Sequence, residues 1–369
     1  MKLLLWHWGR RGAGPQMLIS LARALAPMAE LRLSISAQSD LLAETQALGL
    51  PMDAVPTYGS ALGFVTGLAR IPALRRRLVA QAQGCDAVIS VMTHLWTPLL
   101  APALAAAGIR FIPIIHDANP HPGDPGALWG WRFRRELSAA QLAVVLSESV
   151  EGAVQAARPG LPTARMTLGA HLDLPPPPAT PAPPRPAGAP LRLLMFGRLR
   201  AYKGLDLLRD ALRLLPPDAI SLRVVGDGPA EALAPGLAAM PGVSIENRWV
   251  AEADILGLIA QADALVLPYR EASQSGVIPI AHAMGVPVVA MPAGGLSEQV
   301  SHGQDGLLAE AITAEALAAA LRMLLAPQAL ALLAAGAKAR GAAMADWHEQ
   351  ASLLRRLAAS PQPPKAPDP

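Results

Sequence analysis

Two cations in one short loop are the most chemically suggestive feature of the chain. In LRLLMFGRLRAYKGLDLLRDALRLL, residues 191–215, Arg198 and Lys203 lie between a strand-like apolar run and an amphipathic helical run. Gly197 lets the backbone turn where the strand ends. A guanidinium offers a planar fork to phosphate oxygens and an ammonium adds a compact charge. The loop therefore predicts a site for a phosphate-bearing anion, with two solvated charges as the alternative.

A second stretch, REASQSGVIPIAHAMGVPVVA (270–290), predicts a turn between a strand ending near Tyr269 and a helix beginning near Ser275. The first turn of a helix carries unsatisfied amides and about half a positive charge, which attract anions. We therefore expect the amides of Ser275, Gly276 and Val277 to face the same anion. An ordinary capped helix is the alternative.

Two glycine loops give weaker signals. Gly226 belongs to a Gly-Asp-Gly turn in LRVVGDGPA, and Gly12 and Gly14 belong to GRRGAG near the start of the chain. Neither half shows the full dinucleotide fingerprint with an acidic residue about 20 positions later. A nicotinamide-dependent dehydrogenase is therefore disfavoured.

His116 and Asp117 follow the apolar run RFIPII, and Asn119 and His121 come next. A histidine at the carboxyl edge of a sheet is well placed to contact a ligand, so we predict a functional role for His116. A satisfied structural histidine is the alternative. Asp117, Asn119 and His121 are expected to shape a second substrate pocket.

The elements that position these residues alternate apolar runs with helical patterns, which is typical of parallel sheets covered by helices. The predicted strands are KLLLWH, LRLSIS, DAVISV, RFIPIIH and LAVVLS in the first half, and LRLLMFG, LRVVG, VSIEN, ALVLPY and PVVAM in the second. The chain is thus expected to be α/β, with two doubly wound Rossmann-like domains and ligands bound at the carboxyl ends of the strands.

A proline-rich segment divides the halves. LPPPPATPAPPRPAGAP (174–190) favours extended polyproline backbone and predicts a linker between domains 1–173 and 191–345. Residues 346–360 predict a final helix that packs back across the junction, and 361–369 predict a disordered tail.

Composition excludes several classes of protein. The chain has 369 residues, 52% of them hydrophobic, a net charge of +3 and one cysteine. A charge so close to zero argues against nucleic acid, and one cysteine excludes an internal disulfide. The first apolar run is too short for a signal peptide. The apolar window 93–115 contains three prolines, so it predicts helix, turn and strand rather than a membrane span.

Five motifs in order give the chain a specific resemblance: GRLRAYKGLDLLRDAL, VVGDGP, ADILGLIAQADALVLPY, QSGVIPIAHAMGVPVVA and GGLSEQVSHGQDGLL. Together they resemble the second domain of GT4-type retaining glycosyltransferases of the GT-B fold, over about residues 191–310. The resemblance implies a nucleotide diphosphate-sugar donor, gripped by Arg198 and Lys203 with help from Gly197 and Gly226. It implies a sugar contact for His116, and an approach of the Gly12–Gly14 loop to the diphosphate.

The chain departs from the family at two glutamates that many relatives use for the sugar and the ribose. Ala272 and Ile280 occupy those positions, and Glu271 lies one residue too early. The QSG form is expected to mark a variant branch in which Glu298 and backbone groups recognise the donor. No Asp-x-Asp triplet occurs, so we expect a site without metal or cofactor.

The resulting expectation is a hexosyltransferase acting on a glycan or lipid-linked acceptor. An inactive nucleotide-sugar-binding scaffold and a nucleotide-sugar epimerase are the alternatives. Arginines 75–77 and the stretch WGWRFRREL (129–137) resemble membrane-surface segments, with ordinary charged helix faces as the alternative. The expected location is the cytoplasm, with peripheral attachment to the inner face of the membrane.

Overall fold

The computed structural model describes residues 1–118, 128–171, 185–186 and 188–360, and the chain divides into two compact units. The described part of the first unit comprises residues 1–118, 128–167 and 346–360. The second comprises the described residues between 168 and 345. Most of the predicted linker, the predicted tail, Asn119 and His121 lie outside the described residues.

The first unit is a parallel sheet covered by helices. Its strands, within the described residues, are β1 (Lys2–His7), β2 (Glu30–Ser36), β3 (Met52–Val55), β4 (Ala87–Ser90), β5 (Phe111–Ile115), β6 (Ala143–Val145) and β7 (Thr163–Arg165). The order across the sheet is β3-β2-β1-β4-β5-β6-β7, and every pairing is parallel. The strand order therefore reverses between β1 and β4.

The helices of the first unit follow the apolar periodicity of the sequence. They are α1 (Ala13–Leu25), α2 (Leu42–Gln46), α3 (Ala61–Gly67), α4 (Ile71–Ala82), α5 (Thr97–Ala106), α6 (Trp129–Ala139), α7 (Glu148–Ala157) and, from the end of the chain, α15 (His348–Ala359). A 3-10 turn, Leu68–Arg70, joins α3 to α4. The window 93–115 forms α5, a turn and β5, as predicted, but the break falls at Gly108, whereas Pro102 lies inside α5 and Pro113 inside β5.

The second unit repeats the architecture. Its described strands are β8 (Leu191–Phe196), β9 (Ile220–Val225), β10 (Val243–Glu246), β11 (Ala264–Leu267), β12 (Val288–Ala290) and β13 (Gly306–Leu308). Its helices are α8 (Leu205–Arg213), α9 (Ala230–Leu233), α10 (Glu252–Ala260), α11 (Val277–Ala283), α12 (Leu296–Gln299), α13 (Ala314–Leu324) and α14 (Pro327–Ala345). The parallel order β10-β9-β8-β11-β12-β13 reverses between β8 and β11. The predicted class, two doubly wound α/β domains, is confirmed.

Three strands escaped the sequence prediction, namely β3, β7 and β13. Each lies at the edge of its sheet and spans only three or four residues. β3 and β7 are partly exposed, and β13, although mostly buried, has only three residues, so none of the three shows the longer apolar run that marks a strand buried on both faces.

The final helix belongs to the first unit, where a buried arginine fixes its carboxyl end. The guanidinium of Arg110 donates to the carbonyls of Ser360 at 2.5 Å and Leu357 at 2.9 Å. Burial lowers the pKa of Arg110. The last carbonyls of a helix have no partner within the helix, so a cation there satisfies them and complements the helix dipole.

Replacing Arg110 tests this attachment. Because charge-assisted hydrogen bonds contribute about 1.5–3 kcal/mol each and two are lost, Arg110→Ala is expected to lower the free energy of unfolding by about 3 kcal/mol or more. Denaturant titration measures the loss, and hydrogen exchange should rise in residues 348–360. Arg76→Ala, at an exposed position of α4, is the control. Equal stability of the two variants would contradict the role of Arg110.

Candidate functional site

The loop after β8 holds an ammonium group against a tyrosine from the loop after β11. The Nζ of Lys203 donates to the hydroxyl of Tyr269 at 3.0 Å and lies 4.8 Å from the centroid of its ring. Gly197 has a φ of 106°, and a Cβ there would lie 3.1 Å from the same Nζ. The positive φ favours glycine at 197, and a larger residue would also crowd the Lys203 ammonium. The cation therefore lies at the carboxyl edge of the sheet, where the strand order reverses.

Further contacts lock these two loops together. Gly204 has a left-handed φ of 65°, and a Cβ on it would overlap the carbonyl of Pro268. The amide of Arg270 donates to the carbonyl of Tyr202 at 2.7 Å. Its guanidinium forms two 2.7 Å hydrogen bonds with Asp206, which lower the pKa of that carboxyl. These contacts between the loops after β8 and β11 hold the backbone of Lys203 in place.

Arg198 is exposed on a backbone that the β9 loop holds in place. The amide of Leu199 donates to the carbonyl of Asp227 at 2.8 Å. A Cβ on Gly226 would overlap the carbonyl of Gly197, so glycine permits the two loops to approach. The structure therefore brings together Gly197, Arg198, Lys203 and Gly226, and it gives Gly226 a packing role.

The turn before α11 differs from the prediction. The helix begins at Val277, two residues later than expected, and spans seven residues. The amide of Ser275 donates to Oε1 of Gln299 at 2.7 Å, and Nε2 of Gln299 donates back to the carbonyl of Ser275 at 3.1 Å. The expectation of a free Ser275 amide is wrong, because Gln299 on α12 uses it. Gly276 and Val277 remain in the first turn.

A buried polar cluster fixes the other end of α11. The imidazole of His282 is fully buried, and burial lowers its pKa to about 4. Its Nε2 lies 3.8 Å from Oδ1 of Asp305, whose Oδ2 lies 3.3 Å from Nε of Arg340. A Cβ on Gly341 would overlap the carbonyl of His282, so α14 packs directly against the helix. The orientation of α11 is therefore set from both ends.

The positions expected for a glutamate pair are apolar and closed. Ala272 and Ile280 are 8% and 5% exposed and lie in the core of the second unit. Glu271 and Glu298 are exposed, with Glu298 on α12. The carbonyl of Ala272 accepts from the amide of Gly295 at 3.0 Å, which ties the loops after β11 and β12 together.

Sequence reasoning missed three residues here. Tyr269 holds Lys203, Gln299 clamps Ser275, and Gln274 is buried with neither amide atom hydrogen-bonded to any described residue. A buried amide without a partner is costly, which is typical of groups reserved for a ligand. The burial of Gln274 and Gln299 has no signature in the sequence, whereas Tyr269 followed a predicted strand and was detectable.

In the first unit the glycine loop covers a histidine. A Cβ on Gly9 or Gly14 would overlap the imidazole of His7, which ends β1. Burial lowers the pKa of His7 to about 4, so the ring is neutral at pH 7. Gly12 precedes α1 with a φ of 81°. Gly14 thus has a packing role, and donor binding by Gly12 and Gly14 stays a prediction.

His116 lies directly after β5, as predicted. Its Nδ1 is 2.8 Å from Oδ2 of Asp117, so the carboxylate orients the ring. Both side chains are partly exposed. Their contact with a sugar stays a prediction.

Buried ionisable groups gather at the same edge of the first sheet. Burial raises the pKa of Glu136 on α6 to about 7, with Thr93 and Arg132 opposing the shift. Burial, together with the nearby His7 and Arg132, lowers the pKa of His94. The ring of His94 stacks on Tyr58 at 5.6 Å. No sequence pattern indicated this cluster, because its members come from separate elements.

The two stretches that resemble membrane-surface segments, 75–77 and 129–137, make more contacts within the protein than expected. Arg75 donates to the carbonyl of Leu99 at 2.7 Å, and Arg77 pairs with Asp53. On α6, the indole of Trp129 donates to the carbonyl of Ala118 at 2.6 Å and Arg132 lies over the ring of Trp129. Arg76 remains exposed on α4.

The described residues contain no group of three or more side chains that could together hold a metal ion. No single described helix has the length and apolarity to cross a membrane, although the bent pair 314–324 and 327–359 meets both criteria.

Part of the second unit matches a known protein family. Residues 190–327 match the family model for glycosyl transferases group 1. Glycogen synthase from Mycobacterium tuberculosis is 32% identical over 182 residues, covering 47% of this chain and 43% of the synthase. GDP-mannose:glycolipid 4-beta-D-mannosyltransferase from Xanthomonas campestris pv. campestris is 33% identical over 106 residues, which are 27% of this chain and 30% of that enzyme.

Structural similarity extends over nearly the whole chain. The crystal structure of Anabaena Alr3699/HepE in complex with UDP and glucose aligns with a TM-score of 0.74 and 21% identity, covering 98% of this chain and 100% of that one. The matches to the two curated relatives span less than half of each relative's length. The chain therefore has the GT-B fold and carries, in residues 190–327, a domain that matches the glycosyl transferases group 1 family.

Proposed function

We propose that the chain transfers a sugar from a nucleotide diphosphate-sugar donor to a glycan or lipid-linked acceptor. The observation that carries the proposal is the Lys203 ammonium, held by Tyr269 at the point where the strand order of the second sheet reverses. Open parallel sheets bind ligands at that point. The residues lie within the segment that matches the glycosyl transferases group 1 family.

The charges suit a departing diphosphate. As the bond between sugar and phosphate breaks, negative charge grows on the leaving oxygens. Cations fixed in advance stabilise that charge without reorganising. Lys203 supplies a fixed cation, Arg198 supplies an exposed one on the same loop, and the first turn of α11 adds oriented amides.

We propose that the transfer retains the anomeric configuration and uses neither metal nor cofactor. In that mechanism the leaving phosphate oxygen takes the proton from the acceptor hydroxyl, which attacks the same face of the sugar. No protein nucleophile is needed, so positioning and charge compensation are the work of the protein. His116, oriented by Asp117, is proposed to contact the sugar as a donor of a hydrogen bond.

Donor recognition is proposed to use a different set of groups from the usual glutamate pair. Because Ala272 and Ile280 are buried and apolar, they offer no acceptor for sugar or ribose hydroxyls. Glu298, the amides of Gly276 and Val277 and the unpaired amide of Gln274 are the candidates. This is consistent with the QSG form of a variant GT4 branch.

The absence of the glutamate pair favours a second candidate, a nucleotide-sugar-binding scaffold without turnover. The two are separated by incubating the protein with a donor and measuring release of nucleoside diphosphate in the presence and absence of acceptors. Binding without release under all conditions would favour the scaffold. The proposed location is the cytoplasm, at the inner face of the membrane when the acceptor is lipid-linked.

Removing either cation is expected to weaken both donor binding and turnover. Arg198→Ala and Lys203→Ala should each lower turnover about 100- to 1,000-fold, because each removes stabilisation of the leaving group. Thermal shifts against a panel including UDP-glucose and GDP-mannose first identify the donor, and diphosphate release then measures the rate. Arg213→Ala, an exposed arginine at the end of α8, is the matched control. Near-normal rates in both loop variants would eliminate the diphosphate grip.

The Lys203–Tyr269 contact predicts a graded response. Tyr269→Phe keeps the ring under the ammonium but removes the hydroxyl that accepts its hydrogen bond. Turnover should fall by about tenfold, less than in Lys203→Ala, since one hydrogen bond to a charged group, at least about 1.5 kcal/mol, is lost. A loss as large as that of Lys203→Ala would show that the hydroxyl does more than hold the cation.

Metal independence is tested directly. Diphosphate release should be unchanged after dialysis against a chelator, because the two cations and the helix amides offset the charge that a metal would offset. Strict dependence on added manganese or magnesium would contradict the proposal.

A further inference from the structure

Exposed apolar side chains gather at one edge of the first unit. The segments that follow the carboxyl ends of β3, β4 and β5 carry six exposed large apolar residues among those described: Leu62, Val65, Leu68, Leu95, Leu128 and Trp131. Carboxyl ends of parallel strands share one edge of a sheet, so these segments lie on the same side of the unit. Single exposed apolar residues are ordinary, but a contiguous group indicates an interaction surface.

The orientation of α3 explains why its apolar residues face outward. Phe64 packs on Tyr58 and Trp96, with ring centroids 5.1 Å and 5.9 Å apart. Gly67, one turn later, lies against the ring of Trp96, and a Cβ there would overlap it. Leu62 and Val65 lie on the opposite side of the helix and are 74% and 61% exposed.

We call Leu62, Val65 and Leu68 the α3 face. The three residues recur every third position, so they form one stripe along α3 and the 3-10 turn after it. Leu95, in the loop after β4, precedes the buried Trp96 and is 46% exposed. The packing of Phe64 on Tyr58 and Trp96 holds α3, and therefore the stripe, in a defined orientation.

The charge around the α3 face is positive. Between residues 54 and 116 the sequence has five arginines and one acid, Asp86, but Arg110 is buried at the opposite edge of the sheet and Arg77 is paired with Asp53. Arg70 and Arg76 are exposed and supply the positive charge of this surface. Asp86 precedes β4, at the opposite edge of the sheet, and accepts from the amide of Lys2 at 2.7 Å. Arg70, at the end of the stripe, is exposed and donates to the carbonyl of Pro56 at 2.7 Å. The nearby acids Asp40 and Asp53 are paired with Arg11 and Arg77.

We propose that the α3 face docks the protein onto an anionic lipid bilayer. Outward leucine and valine side chains enter the boundary between headgroups and acyl chains, while flanking arginines attract anionic headgroups. Trp131, whose ring lies under the guanidinium of Arg135, adds an amphipathic aromatic at the same edge. Arginines 75–77 are not the main contact, because Arg75 and Arg77 already bind groups of the protein.

The inference goes beyond the proposed sugar transfer, since docking needs neither donor nor catalysis. It supplies a physical route to a lipid-linked acceptor. The positive charge beside the apolar stripe favours a bilayer over a second copy of the chain as the partner. Two copies that paired through this surface would bring their arginines together.

Vesicle sedimentation tests the proposal with the full chain. The protein should bind vesicles of mixed phosphatidylglycerol and phosphatidylcholine, bind pure phosphatidylcholine weakly, and dissociate as salt increases. The double variant Leu62→Glu with Val65→Glu should bind the anionic vesicles about tenfold or more weakly. The matched control is Leu332→Glu, at a position on α14 that is 66% exposed and should not matter.

Three outcomes would overturn the proposal. One is equal binding of the α3 variant and the wild-type protein, and another is no vesicle binding by the wild type. The third is a wild-type dimer that the α3 variant dissociates in the absence of vesicles, which would assign the surface to self-association. Unchanged thermal shifts with nucleotide sugars in the variant would show that the donor site is intact, so failure of docking is distinct from failure of the transfer proposal.

A milder variant guards against misfolding. Val65→Cys in a Cys85→Ala background, labelled with a polarity-sensitive dye, should show a blue-shifted emission on anionic vesicles. The label at Leu332→Cys should show no shift. Identical spectra at position 65 with and without vesicles would contradict insertion of the α3 face.

Discussion

A lysine ammonium held on the face and hydroxyl of a tyrosine, where a parallel sheet reverses its strand order, is the contact on which the candidate site depends. Lys203 comes from the loop after β8 and Tyr269 from the loop after β11. These strands are neighbours in the sheet but distant in the chain. The doubly wound topology thus creates the gap between the loops, and the contact places a cation in it.

Glycine makes this arrangement possible by letting backbones approach one another. Gly204 lies against Pro268, and Gly226 lies against the carbonyl of Gly197. A methyl group at either position would separate the loops and move Arg198 or Lys203. Gly226, which sequence reasoning assigned to ligand binding, therefore has a packing reason that is sufficient by itself. Its effect on a ligand is then indirect, through the loop that carries Arg198.

The sequence predicted the central strands and the cations well, for a physical reason. Strands buried on both faces are continuous apolar runs, and the loops that follow them are short, so Arg198, Lys203 and His116 were assigned correctly to the ends of strands. Side-chain pairings between distant loops leave no such pattern. The bond between Gln299 and Ser275 joins residues 24 apart, and it changed both the start of α11 and the availability of an amide.

The points at which the strand order reverses in the two sheets differ in charge, although their topology is the same. In the second unit the loops leave Lys203 and Arg198 charged at the edge. In the first unit the equivalent point, between β1 and β4, is filled by His7, whose burial keeps the imidazole neutral at pH 7. Gly9 and Gly14 of the glycine loop pack against that imidazole, so the ring occupies the space beneath the loop. Because a neutral buried imidazole contributes no net charge, His7 does not give the first unit a cation of the kind that Lys203 gives the second. In the proposed transfer the first unit contributes a hydrogen bond from His116, and in the proposed docking it contributes the α3 face.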